Sequence, residues 1–151
     1  MRRQAFMIPF AEALFDIGKQ NNTLEQMEDE FQSFVSLIED QSNLLFAFLS
    51  DPRAPIELKK EALEKTLKKE VSKVFYHFIL VLLDKHVLPY VKDAFYYFRD
   101  LMDEHMKRLR VRIISAVDLD SKMEQKINQS VSKFFKKEKI ILETSVDPDI
   151  L

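Results

Sequence analysis

Side chains able to do chemistry are plentiful in this sequence, but they rarely stand at spacings that chemistry uses. There is one glycine, Gly18, followed by Lys19. A phosphate-cradling loop needs a second glycine upstream and a Ser or Thr after the lysine. Gly18-Lys19 has neither, which argues against nucleotide binding. His77, His86 and His105 fit no metal-ligand spacing and read as helix-surface or helix-end residues. Cysteine is absent, so thiol nucleophiles, thiolate metal sites and disulfides are all excluded, as suits a reducing compartment. The carboxylates fall between apolar stripes, where solubilising charge explains them. Nothing in the sequence selects a catalytic pair, and no cofactor or metal is expected. Two basic runs, Lys107, Arg108, Arg110 and Arg112, then Lys133, Lys136, Lys137 and Lys139, could touch phosphates. Both sit where helices end, where cations complement the helix dipole, and that structural reading is favoured.

The elements that would position any site follow from composition and periodicity. The 151 residues are 46% hydrophobic and 32% charged, with 23 basic and 25 acidic side chains and a formal net charge of −2. Such a chain buries a good core and has no global field drawing it to nucleic acid or to an anionic membrane surface. The opening "MRRQAFMIPFAEALF" carries two arginines, but Glu12 breaks its apolar run short of signal-peptide length. The stretch "KVFYHFILVLLDKH" is bracketed by Lys73, Asp84 and Lys85, whereas a membrane span needs roughly 20 apolar residues. It reads as a buried helix, and the chain is expected in the cytosol.

From residue 9 to about 108 the period is helical. Phe10, Ala13, Leu14 and Ile17 form one core stripe, and Leu24, Met27, Phe31, Phe34, Val35 and Ile38 a second. Pro9 marks a first turn, Thr23-x-x-Gln26 a capping box, and Ser42 a further N-cap. A break at "SDPRAP" precedes a fourth helix after Pro55. The fifth runs from about Val71, and Pro89 opens a sixth with Val91, Ala94, Phe95, Phe98 and Met102 inward. Six helices on short loops predict an antiparallel bundle over 1–108.

After Lys107 the period changes. "LRVRIISAV" alternates, with Val111, Ile113 and Val117 on one face, and reads as a strand. Ser121 and Glu124 form a capping box before a helix carrying Met123, Ile127, Val131 and Phe134, and "KIILETSV" is a second strand. Residues 109–151 are thus a small strand-helix-strand, α/β domain. Ile113 beside Ile114 and Ile140 beside Ile141 put apolar side chains on both faces, more than one helix covers. The domain therefore reads as incomplete, and residues from about Leu109 onward are expected to be mobile or packed on a neighbour.

Two helices have more apolar surface than one side of a bundle requires. On the fifth, Val71, Val74, Phe75, Phe78 and Leu82 form the predicted core face. Tyr76, Ile79, Leu80 and Leu83 form a second strip. On the first, Ala11, Phe15 and Gly18 lie beside the core stripe and away from Glu12, Asp16 and Lys19. Either the fifth helix is fully central or seals a homodimer, or these seven residues line a groove that accepts a third helix. In the groove reading they are partly exposed and lie off the core.

Four segments, in register along the chain, resemble one known family. They are "IPFAEALFDIGKQ", similar to a Tyr-Ala-x-Ala-Leu-Phe opening; "FLSDPRAPIELKKEAL", similar to a loop before helix four; "ISAVDLDSKMEQKI", similar to a Ser-Ala-x-x-Leu strand-to-helix junction; and "ETSVDPDIL", similar to the start of a C-terminal signature. The family is the delta subunit of bacterial ATP synthases, called the oligomycin-sensitivity-conferring protein in mitochondria. Its fold, a six-helix bundle followed by a small α/β domain, agrees with the pattern just read.

The resemblance implies a non-catalytic stator component of a rotary ATP synthase, linking the catalytic head to the peripheral stalk. It implies two partners: the N-terminal helix of an alpha subunit, lying between helices one and five against Ala11, Phe15, Gly18, Tyr76, Ile79, Leu80 and Leu83, and the b subunit of the stalk, met by the C-terminal domain. The chain is then peripheral at the cytoplasmic face of the inner membrane, touching the membrane only through the complex. The family continues past Asp147-Pro148 with a glycine pair, a strand and a helix, whereas this sequence stops at Leu151, so truncation or a divergent ending is expected. Two other classes remain open: a free-standing helix-in-groove adaptor unrelated to the synthase, and an enzyme built from scattered carboxylates.

Overall fold

The computed structural model describes residues 2–40, 42–134 and 139–150. The chain divides into two compact units, Met1–Leu101 and Met102–Leu151. Among the described residues there are seven α-helices and one two-stranded sheet: α1 (Ile8–Asn21), α2 (Leu24–Glu39), α3 (Leu45–Ser50), α4 (Ile56–Thr66), α5 (Lys73–Asp84), α6 (Val91–His105), β1 (Arg108–Ser115), α7 (Ser121–Phe134) and β2 (Lys139–Val146). Short 3-10 turns at Ala5–Met7 and Leu88–Tyr90 lead into α1 and α6. The mainly α architecture with a small α/β unit is the one the sequence predicts. The division between the two compact units falls inside α6, between Leu101 and Met102. Within the second unit lies an ion cluster: Asp103, on the last turns of α6, takes Arg108 at 2.8 Å and also Arg110, whose Nη1 reaches Glu143 at 3.2 Å. The first basic run is therefore partly neutralised inside its own unit. Lys136 and Lys137 of the second run lie outside the described residues.

The core of the first unit is built on Phe31 of α2. Its ring lies 5.4 Å from Phe75, 5.5 Å from Phe78, 5.2 Å from Phe95 and 5.8 Å from Phe98, so α2, α5 and α6 meet on one aromatic cluster of the tilted and edge-on kind that rings prefer. The α2 stripe Leu24, Met27, Phe31, Phe34, Val35 and Ile38 is buried throughout, as its spacing predicts.

Helix ends are made by residues other than those the capping patterns single out. Thr23 precedes α2 but its hydroxyl makes no capping bond and is buried with no partner among the described residues, while Gln26 donates to Glu30 at 3.0 Å. A backbone bond from Thr23 N to the Gly18 carbonyl at 2.9 Å, with Asn22 left-handed at φ 56°, closes α1 instead. Ser42 does not cap α3; Asn43 Oδ1 accepts from Leu45 N at 2.9 Å, and the helix begins later. Ser121 is already helical, and Asp120 Oδ1 caps α7 by accepting from Met123 N at 2.8 Å. The start of α5 moves from Val71 to Lys73 because Ser72 is the cap, accepting from Phe75 N at 3.3 Å. Glu30 of α2 holds that cap from outside, accepting from Ser72 N at 3.0 Å and from Ser72 Oγ at 2.8 Å. In the "SDPRAP" turn, Asp51 takes both the backbone and the guanidinium of Arg53. The side-chain bond from Arg53 is the main cause holding that carboxyl below the usual carboxylate range.

In the second unit β1 and β2 pair in parallel, Arg108 opposite Lys139 through Ser115 opposite Val146, and α7 supplies the crossover that parallel pairing requires. Val117 lies beyond the end of β1 and is 66% exposed. Apolar side chains do face outward from both strands, Ile114 and Val146 among them, and α7 buries none of its described residues.

Candidate functional site

The first unit carries an open groove of about 540 Å³ between α1 and α5. Pro9, Phe10, Ala13, Leu14 and Ile17 supply one wall, and Val74, His77, Phe78 and Val81 the other. Leu14 and Phe78 are buried and form the floor, whereas Ile17 is 40% and Val81 44% exposed at the lip. At about 100° per residue these positions lie on one side of each helix. Of the nine lining residues only His77 has a side chain that can hydrogen-bond.

The groove therefore lies between the helices that the sequence indicates, but on the opposite face of each. Ala11, Gly18, Tyr76, Ile79 and Leu83, expected to be partly exposed, are buried. Phe15 and Leu80 are half-buried. Conversely, Phe10, Ala13 and Ile17 of the predicted core stripe lie half-buried or exposed in the groove wall.

The reason is packing on two sides. Helix α5 touches α2, α4 and the Leu88–Tyr90 turn, so it is a central helix and its second apolar strip is consumed by the fold. On α1, Gly18 is small because α2 needs the space: a Cβ there would lie 2.7 Å from Met27 Sδ and 2.9 Å from Leu24 Cδ2. Phe15 turns its ring to Phe98 at 6.2 Å between centroids. Small residues on α1 were a signal of close helix packing, and pointed to the neighbouring helix of the bundle. Sequence reasoning missed the groove residues because both faces of α1 and α5 are apolar. The usable signal was His77, since a histidine inside an apolar run marks the side that keeps some access to water.

The three histidines are scattered: His77 on the groove wall, His86 with φ 59° just after α5, and His105 in the last turn of α6. Among the described residues no group of three or more His, Asp or Glu side chains could hold a metal ion, and no helix is long and apolar enough to cross a membrane.

Comparison with known proteins agrees with this architecture. The family model described as ATP synthase delta (OSCP) subunit matches residues 7–151. The chain is 31% identical to ATP synthase subunit delta of Desulforudis audaxviator (strain MP104C), over all of this chain and 82% of that protein. It is 27% identical to ATP synthase subunit delta of Rubrobacter xylanophilus, over 94% of this chain and 78% of that one. Among solved structures, a chain of the Toxoplasma gondii mitochondrial ATP synthase hexamer shares the fold with a TM-score of 0.78 at 20% identity, covering 98% of this chain and 83% of its own. With the match over residues 7–151 running across both compact units, the chain belongs to the ATP synthase delta (OSCP) subunit family.

Proposed function

We propose that the α1–α5 groove is the docking site through which this delta-family subunit grips the catalytic head, receiving the N-terminal helix of an alpha subunit. Family membership makes the chain a structural stator subunit of an ATP synthase, with no catalytic role of its own. In this reading the second unit meets the b subunit of the peripheral stalk, and the chain is held at the cytoplasmic face of the inner membrane through the complex.

The observation that supports the docking reading is the groove wall itself: apolar side chains from two helices, Ile17 and Val81 among them, stand open to solvent in line. A contiguous apolar strip exposed on a folded unit marks an interaction site, and an amphipathic helix laid into such a groove is a recurrent recognition mode.

The test is titration of a synthetic alpha-subunit N-terminal peptide from the same organism against the protein and two variants. Ile17→Asp places an unpaired charge beneath the docked helix and should weaken binding by about 2 kcal/mol or more, with circular dichroism unchanged. Leu83→Asp, at a position only 3% exposed, should unfold the bundle. Equal peptide affinity for wild type and a folded Ile17→Asp would show that the partner docks elsewhere.

A further inference from the structure

The groove has oppositely charged rims. On α1 the position flanking the wall away from the core is Asp16, with Glu12 one turn earlier; both are exposed, and neither is ion-paired among the described residues. On α5 the outer flank carries Lys73 and, one turn later, His77, both exposed. The one acid on that flank, Asp84, is already occupied by Lys60 of α4 at 2.9 Å. The α1 rim is thus anionic, and the α5 rim offers the Lys73 ammonium, unpaired among the described residues, and an imidazole N–H.

This asymmetry has a geometric consequence. A helix lying in a groove with its apolar face down has a left and a right flank, and reversing its direction exchanges which flank meets which wall. The apolar floor scarcely distinguishes the two directions, because hydrophobic burial is non-directional. Rim charges do distinguish them, since electrostatic complementarity fixes register and suppresses the wrong arrangement. Resting on the groove reading above, we propose that Asp16 and Glu12 on one rim, with Lys73 and His77 on the other, set the direction in which the docked helix lies. The occupant this selects is an amphipathic helix with basic residues on the flank facing α1 and a carboxylate on the flank facing Lys73 and His77.

The experiment uses two synthetic helical peptides with the same apolar face, one with acidic and basic flanks in one arrangement and the other with the flanks exchanged. Each carries a nitroxide at its N-terminus, and paramagnetic broadening of the protein's amide signals reports whether that end lies near Pro9 or near Ile17 of α1. At low salt the two peptides should dock in opposite directions, each with a preference of about 10:1, the summed effect of several exposed charge pairs. The preference should fade by roughly 1 M salt. The surface variant Glu12→Lys/Asp16→Lys/Lys73→Glu should reverse the direction of both peptides while leaving circular dichroism unchanged. Binding of both peptides in one direction, or with no preference, would overturn the proposal and leave the groove reading standing. Failure of these peptides and of the alpha-subunit peptide to bind at all would overturn both.

Discussion

Gly18→Ala isolates the contact that decides which face of α1 is core. The added methyl would lie 2.7 Å from Met27 Sδ and 2.9 Å from Leu24 Cδ2, against an ordinary carbon contact of about 3.5–4.0 Å, so one side must yield by about 1 Å. Both atoms lie at the ends of flexible side chains, but Met27 is 2% and Leu24 9% exposed, so the shift must be taken up within the core. Overpacking of this kind costs about 1–3 kcal/mol. Replacing glycine by alanine in a helix recovers up to about 1 kcal/mol of helix propensity. The expected net loss is about 1 kcal/mol, read as a lower urea midpoint with unchanged slope. A double-mutant cycle with Met27→Ala, which removes the sulfur nearest the new methyl, should cancel most of the loss and show a coupling of about 1 kcal/mol. Affinity for the alpha-subunit peptide should stay the same, because Gly18 is on the buried face. A Gly18→Ala protein as stable as wild type with no coupling to Met27, or one that stays folded and loses peptide binding, would refute the assignment of this face to the α1–α2 contact.

Other outcomes follow from the same core. Phe31→Ala removes the ring shared by Phe75, Phe78, Phe95 and Phe98 and should cost about 3–5 kcal/mol in denaturant unfolding; a loss below about 1.5 kcal/mol would mean the cluster re-forms without it. Ser72→Ala deletes the α5 cap and its hydroxyl bond to Glu30 and should cost about 1 kcal/mol, with faster amide exchange at Phe75. Unchanged protection of Phe75 N–H would show that the cap contributes nothing to this end of the helix.

Much of the fold was legible in local pattern, because period and punctuation are written in the chain. The 3.6-residue stripe of α2 became the buried stripe residue for residue, Pro9 fell in the first turn of α1, and the change to alternation after Lys107 became a strand. Caps were less legible. Thr23, Ser42 and Ser121 fit the expected patterns, yet Asn43, Ser72 and Asp120 make the bonds, since a cap depends on where the chain leaves its extended conformation, and one residue of shift hands the role to a neighbour.

The candidate site was legible as a pair of helices and not as a pair of faces. By itself the sequence determined that the first and fifth helices carry two apolar strips each, and that one histidine stands within the apolar run of the fifth. Which strip is core and which is groove was decided only in three dimensions. Periodicity gives the angle of a residue around its own helix axis and says nothing about which neighbours stand at that angle. Tertiary packing set α2 against Gly18 and placed α4 and the Leu88–Tyr90 turn against α5. That left Phe10, Ala13, Ile17, Val74 and Val81 as the uncovered apolar surface between charged rims.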